Sequence, residues 1–337
     1  MKLQQGEDVM RFGLIGAGFI GTVHANRILS EPRATLTWVF DVDQGAAHKI
    51  AGLTGANIAT SIDEILSDKE VDAVIIASST DSHGVIARSA IAHGKSFLCE
   101  KPLDRTLQAA QETAEMTLSA GVFGGLAFNR RFDRQHSMLR DSVVRGDIGT
   151  IEMMHLTSRS QSPPEIAYAM NSGGLLRDKG AHFFDLACWI AQDHPVQVYA
   201  QGDCLFEPRL AEIGDLDTAM IILKFSRGAL CHFDFSRRTA YGYDERIEVF
   251  GSKGRIVSGT PLPLEVVSYL GDTITRAGLH QTWFERVEPT YKAQLLAFID
   301  ALEGGGKSFP NVIDGLLAEQ IAEAAQQSVN TGNAIHM

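Results

Sequence analysis

The run Gly173-Gly174-Leu175-Leu176-Arg177-Asp178-Lys179-Gly180-Ala181-His182-Phe183-Phe184-Asp185 holds the residues best suited to moving a proton. Asp178, His182 and Asp185 stand at i, i+4 and i+7, so on a helix they would share one face. Histidine is the side chain whose ordinary pKa suits a proton acceptor near neutral pH, and a nearby carboxylate can orient it and stabilise its charged form. H-x-x-D with an upstream acid could instead hold a metal, but no second histidine or cysteine stands at ligand spacing. A packed histidine between two solvated acids is the other alternative.

A second element concerns phosphate. The apolar run Phe12 to Ile15 ends in Gly16-Ala17-Gly18-Phe19-Ile20-Gly21, and Asp41 stands twenty residues beyond Gly21. In a dinucleotide-binding turn the first glycine makes the strand-to-helix turn, the second lets a pyrophosphate approach the backbone, and the third lets the helix pack on the strand. The helix-start N–H groups, those of Phe19 and Ile20 included, would then face the phosphates. Asp41 would accept from both hydroxyls of the adenosine ribose and repel a 2′-phosphate, which favours NAD over NADP. Asp43 is better placed to cap the helix Gln44 to Ala51.

Glu100-Lys101-Pro102 follows the strand Ser96 to Cys99, and Pro102 pushes Lys101 out of helical geometry. Beside an oxidised nicotinamide, a lysine feels a positive charge and partial desolvation, and both favour its neutral form. It could then take part in proton transfer from a hydroxyl. A surface lysine at a strand end is the alternative.

These residues need a framework. Strand-like segments at Met10–Ile15, Thr35–Phe40, Val71–Ala77, Ser96–Cys99 and Val122–Phe128 alternate with helical ones, including Gly84–His93 and Leu107–Ala120. This βαβ rhythm predicts an α/β fold with an N-terminal Rossmann domain, a doubly wound parallel sheet, over residues 1–128. Residues 129–337 begin with a helix (Phe132–Val144), a strand (Ile151–Ser158) and a helix around Gly180–Ala191. Strand candidates follow at Val196–Gln201, Thr218–Phe225, Ala229–Ser236, Arg246–Phe250, Arg255–Val257 and Leu264–Leu270, then helices at Tyr291–Leu302 and Leu316–Val329. That order predicts an α+β domain with a largely antiparallel open sheet.

Composition narrows the class. The 337 residues are 45% hydrophobic and 21% charged, as in an ordinary globular protein of about two domains. A formal net charge of −11 argues against nucleic-acid or anionic-membrane binding, so an anionic cofactor must rely on local backbone donors. The four cysteines lack C-x-x-C spacing, which indicates neither a zinc site nor a disulfide framework. No apolar run is long enough to span a membrane, and the cytoplasm is the expected compartment.

In order along the chain, the glycine turn, Ser78 to His83, Glu100-Lys101-Pro102 and the Asp178/His182 pair resemble the glucose–fructose oxidoreductase/inositol dehydrogenase/MocA-like dehydrogenases. Within that family, Asn129-Arg130-Arg131-Phe132-Asp133 is similar to the "MRRFD" segment of inositol 2-dehydrogenases. Tyr241 to Gly254 is close to their "YGYDQRVEVFGSKG". The resemblance implies a catalytic group of Lys101, Asp178 and His182, with His182 as general base, Asp178 as its partner and Lys101 relaying the proton. It assigns NAD to the Rossmann positions with Ser78, Thr80, His83, Glu100 and Lys101. It assigns a cyclic polyol to Asn129, Arg130, His155, Asp185 and Tyr243. The implied reaction is oxidation of a ring hydroxyl, myo-inositol to 2-keto-inositol. An inositol isomer or a pyranose sugar is the runner-up substrate, and a non-catalytic NAD sensor is a reading of another class. Asn129 stands where those enzymes carry methionine, and Phe183 replaces the first acid of their "HDFD" run. The open sheet face implies a homo-oligomer, a tetramer.

Overall fold

The structure, a computed structural model, describes residues 9–304 and 309–337. Contacts gather the chain into two compact units: one runs to Phe128 and includes Tyr291–Leu316, and the other comprises Asn129–Thr290 with Leu317–Met337.

In the first unit, β1 (Met10–Ile15), β2 (Ala34–Phe40), β3 (Asn57–Ile58), β4 (Ala73–Ile76), β5 (Ser96–Cys99) and β6 (Gly124–Leu126) form a parallel sheet ordered β3-β2-β1-β4-β5-β6. Helices α1 (Phe19–Leu29), α2 (Gln44–Thr54), α3 (Ile62–Ser67), α4 (His83–Ala92) and α5 (Leu107–Ala120) connect the strands. Every residue of β4 is buried, as a sheet covered on both faces requires. Strand order reverses at β1, the place where such sheets open a ligand crevice at the strand carboxyl ends. Asp43 caps α2, its carboxylate accepting from the Gly45 and Ala46 N–H groups. The returning segment joins this core through aromatic rings: Phe298 lies 6.1 Å from Phe12 and 6.0 Å from Phe123. A single boundary at residue 128 therefore describes only part of the division.

The second unit carries β7 (Ile151–Arg159), β8 (Pro195–Asp203), β9 (Thr218–Phe225), β10 (Leu230–Ser236), β11 (Asp244–Gly251) and β12 (Gly254–Ser258). A separate hairpin pairs β13 (Val267–Leu270) with β14 (Thr273–Arg276), and β15 (Ile335–His336) closes one edge of the main sheet. The order is β12-β11-β7-β10-β9-β8-β15, with β7 and β10 parallel and every other pairing antiparallel. Its helices are α6 (Arg134–Val144), α7 (Ile166–Ser172), α8 (Ala181–Ala191) and α9 (Pro208–Glu212), while α10 (Trp283–Leu302) and α11 (Val312–Thr331) are each divided between the two units. On one face α8 packs Phe184 against Phe233 (5.2 Å) and Phe183 against Phe235 (5.6 Å). The other face leaves Met153, Met220, Ile222 and Phe250 exposed.

Two elements differ from expectation. Helix α10 starts at Trp283, ahead of the expected Tyr291, and runs through Pro289. Proline disfavours a helix interior, but buried Val287 and the buried Arg286–Asp133 ion pair (2.5 Å) anchor the turn before it. The strand expected over Leu264–Leu270 begins only at Val267 and pairs with β14, which alternation did not reveal.

Candidate active site

The glycine turn has the shape its sequence implies. Gly16 adopts φ +103°, and a Cβ there would lie 2.4 Å from backbone atoms of Ala77 and Ser78. At Gly21 a Cβ would stand 2.0 Å from the Gly16 carbonyl oxygen, so α1 touches the turn backbone. A Cβ on Gly18 would meet nothing within 4 Å. Gly18 is also the N-cap of α1 and offers no side-chain cap, so the helix starts without a capping carboxylate or hydroxyl at the turn. Asp41 ends the same crevice: one carboxylate oxygen accepts from Ala17 N–H (2.5 Å) and the other from Asp43 N–H (2.8 Å). Open space at Gly18, a helix start with no side-chain cap and a held carboxylate fit a dinucleotide.

Beyond β4, Ser78 Oγ lies 2.7 Å from Ser82 Oγ, and Thr80 opens the short turn Thr80–Ser82. His83 is buried; its Nδ1 is 2.7 Å from the Pro102 carbonyl oxygen and its Nε2 3.1 Å from that of Ser78. The ring thereby joins the end of β4 to the Glu100-Lys101-Pro102 segment after β5. His24, buried on α1, donates from Nε2 to Glu100 Oε1 at 3.0 Å. Lys101 is half-buried.

The second unit assembles its own polar cluster. Asp178 lies in a wide helical turn, Leu176–Gly180, that precedes α8, so the simple 3.6-residue spacing is interrupted between Asp178 and His182. Asp178 Oδ1 accepts from the Tyr168 hydroxyl at 3.0 Å. His182 is buried, and its Nε2 lies 3.3 Å from Arg130 Nη1. A guanidinium can only donate, so His182 Nε2 is the unprotonated ring nitrogen. Arg130 Nη1 also donates to Asn129 Oδ1 (2.9 Å), and Nη2 donates to the Tyr243 hydroxyl (3.4 Å). That hydroxyl donates to Glu245 Oε2 at 2.9 Å. Burial pushes the Tyr243 phenol up to about 12, and the Glu245 charge adds to the effect. Tyr243 is thus a neutral donor at physiological pH.

Two polyol assignments need restating. Asp185 is buried, and both its oxygens accept from Arg131 (2.8 and 2.5 Å), so a polyol could reach this carboxylate only by sharing it. His155 is a correction. In β7, Met154 and Leu156 point to the face covered by α8, and the two-residue period turns His155 to the exposed face. There it stacks on His232 at 4.7 Å, on the opposite side of the sheet from His182. Spacing misses this because one strand position decides the face.

Sequence reasoning also missed Lys179 and Glu245. Lys179 Nζ donates to the carbonyls of Ser158 and Ser236 (both 3.3 Å) and lies 5.8 Å from the Tyr243 ring centroid. Burial pushes its ammonium down to about 7, Arg237 acting in the same direction. Its flanks, Asp178 and His182, were the available signal. Phe183, the departure from "HDFD", is core packing against β10 and not part of the polar cluster. Among the described residues no group of three His, Cys, Asp or Glu could hold a metal ion, and no helix is long and apolar enough to cross a membrane.

Comparison with known proteins follows the same division. Residues 10–126 match the family described as "Oxidoreductase family, NAD-binding Rossmann fold", and residues 136–257 match the "GFO/IDH/MocA C-terminal domain". The chain is 37% identical to an inositol 2-dehydrogenase of Rhizobium meliloti (strain 1021), covering 95% of this chain and 97% of that protein. It is 35% identical to a myo-inositol 2-dehydrogenase of Thermotoga maritima, covering 97% and 98%. A crystal structure of a myo-inositol dehydrogenase from Corynebacterium glutamicum superposes with a TM-score of 0.92 at 32% identity, covering 98% of this chain and 99% of that one.

Proposed function

The chain belongs to the GFO/IDH/MocA oxidoreductase family, and we propose that it oxidises a ring hydroxyl of a cyclic polyol, converting myo-inositol to 2-keto-inositol with NAD. The observation that carries this reading is the buried His182 ring beside the Arg130 guanidinium, set among Asn129 and Tyr243, all groups that hydrogen-bond hydroxyls. The names of the relatives support the substrate class.

Gly16, Gly18, Phe19, Ile20 and Gly21 would hold the pyrophosphate, Asp41 the adenosine ribose, and Ser78, Thr80, His83 and Glu100 the nicotinamide half. When bound, NAD supplies the carbon that accepts the hydride. His182 Nε2 takes the hydroxyl proton, and Asp178 offsets the charge that the imidazole gains. Lys101 positions the hydroxyl and relays its proton. Arg130 and Tyr243 orient the ring by donating to its other oxygens. Proton transfer at His182 leaves the alkoxide-like oxygen beside cationic Arg130, which favours loss of the hydride from the same carbon.

Initial rates of NADH formation at 340 nm test the reading, with NAD or NADP against a panel of inositol isomers, glucose, galactose and xylose. NAD-linked turnover of myo-inositol well above the sugars is the expected result. Preference for another ring would move the substrate while keeping the mechanism. Bound NAD with no turnover on any member would overturn the polyol reading and favour a sensor.

We also propose a homotetramer in which a second copy covers the open sheet face. Met153, Met220, Ile222 and Phe250 emerge there at alternate positions, exposed large apolar side chains of the kind that mark an association surface. The expected result by sedimentation equilibrium is a tetramer that Ile222→Asp breaks into smaller species. A wild-type monomer at micromolar concentration would rule it out.

A further inference from the structure

Glu245 is fully buried in β11, beside a cluster in which sequence reasoning gave it no part. Its Oε2 accepts from the Tyr243 hydroxyl and lies 3.7 Å from Arg130 Nε. Its Oε1 lies 3.8 Å from Nε2 of His136, which is equally buried. Burial works to raise the Glu245 carboxyl, yet Arg130, Arg286 and His136 together hold it below the usual carboxylate range, so it stays ionised. Asn129 holds the same guanidinium elsewhere, its Oδ1 accepting from Nη1.

The guanidinium and a substrate hydroxyl need the same lone pair on His182 Nε2. Arg130 stands at 3.3 Å, the long end of a hydrogen bond in which the guanidinium donates to this nitrogen. Its distance is set by what holds it. The related segments "MRRFD" and "YGYDQR" carry methionine and glutamine at the positions of Asn129 and Glu245. Methionine offers only a weak acceptor, and glutamine has no charge. The differences at Asn129 and Glu245 therefore converge on one guanidinium, whereas Phe183 lies in the core.

We propose that Glu245 and Asn129 are positioning residues that tether the Arg130 guanidinium and thereby hold His182 ready to accept the hydroxyl proton. Glu245 acts without touching the substrate. This inference rests on the reading of His182 as general base.

Glu245→Gln keeps the shape and the bond from Tyr243 and removes only the charge. Without that charge the cation at Arg130 acts on His182 uncompensated, and its imidazolium becomes harder to form. The expected result is a fall in kcat/KM for the polyol of about tenfold, the weight of one charge-assisted contact. The acid limb of the pH–kcat/KM profile moves to lower pH, and KM for NAD is unchanged. Glu245→Asp, which keeps the charge, returns the limb toward wild type. Asn129→Met lowers kcat/KM with little movement of the limb. A purely structural role would lower the melting temperature and active fraction without moving the limb. Unchanged rates and an unmoved limb in Glu245→Gln would overturn the proposal. The 15N imidazole spectrum of His182 is the second measurement and needs no turnover. It should report an unprotonated Nε2 in the wild type and a changed Nε2 signal in Glu245→Gln. Identical spectra would sink the tether even if no polyol proves to be a substrate, whereas inactivity with a changed spectrum would count against the polyol reading alone.

Discussion

His182→Ala is expected to lower kcat by about 10²–10⁴-fold, the range that a positioned general base contributes. The variant removes the ring whose Nε2 faces the Arg130 guanidinium in the polar cluster. NAD affinity should not move, because the glycine turn and Asp41 belong to the other compact unit. Single-turnover rates together with calorimetric NAD binding check both halves. His182→Gln, which fills the same space without a useful base, should be equally slow. Lys101→Ala should also abolish turnover and spare NAD binding. Wild-type turnover in the His182 and Lys101 variants would remove the proton-transfer mechanism altogether.

Gly16→Ala should damage both folding and cofactor binding. Its Cβ would collide with the Ala77 and Ser78 backbone at 2.4 Å, and its φ of +103° is one that L side chains rarely adopt. Neither clash can be relieved by turning a flexible side chain. A loss of about 3 kcal/mol or more in unfolding free energy is expected, as for other substitutions at strained backbone positions. Urea titration measures that loss. Gly18→Ala is the comparison: its Cβ meets nothing within 4 Å, so stability should hold while NAD affinity falls. Equal stability losses in both variants would contradict the division of labour within the turn.

Much of the first unit was legible before any coordinate. A buried parallel strand is a short continuous apolar run, and the glycine turn, Asp41 and the Asp43 cap depend on residues close in sequence. In the second unit the strands were visible as alternation, but alternation cannot say which face is covered. The parallel pairing of β7 with β10 and the exposed setting of His155 follow from partners distant in the chain. Helix α10 likewise crosses Pro289 because distant Asp133 secures its first turns.

The candidate site divides in the same way. Residue type and spacing singled out His182, Asp178 and Lys101 as candidates, and the family resemblance grouped them, since proton transfer restricts the choice of side chain more than its neighbours do. Which nitrogen of His182 accepts was decided only when folding brought Arg130 to within 3.3 Å. The same holds for the occupied carboxylate of Asp185, the core setting of Phe183, the lowered ammonium of Lys179 and the buried charge of Glu245. Identity is a local property and survives in the sequence. Protonation state and availability are set by burial and by charges some fifty to a hundred residues away along the chain, and these come into being only with the tertiary structure.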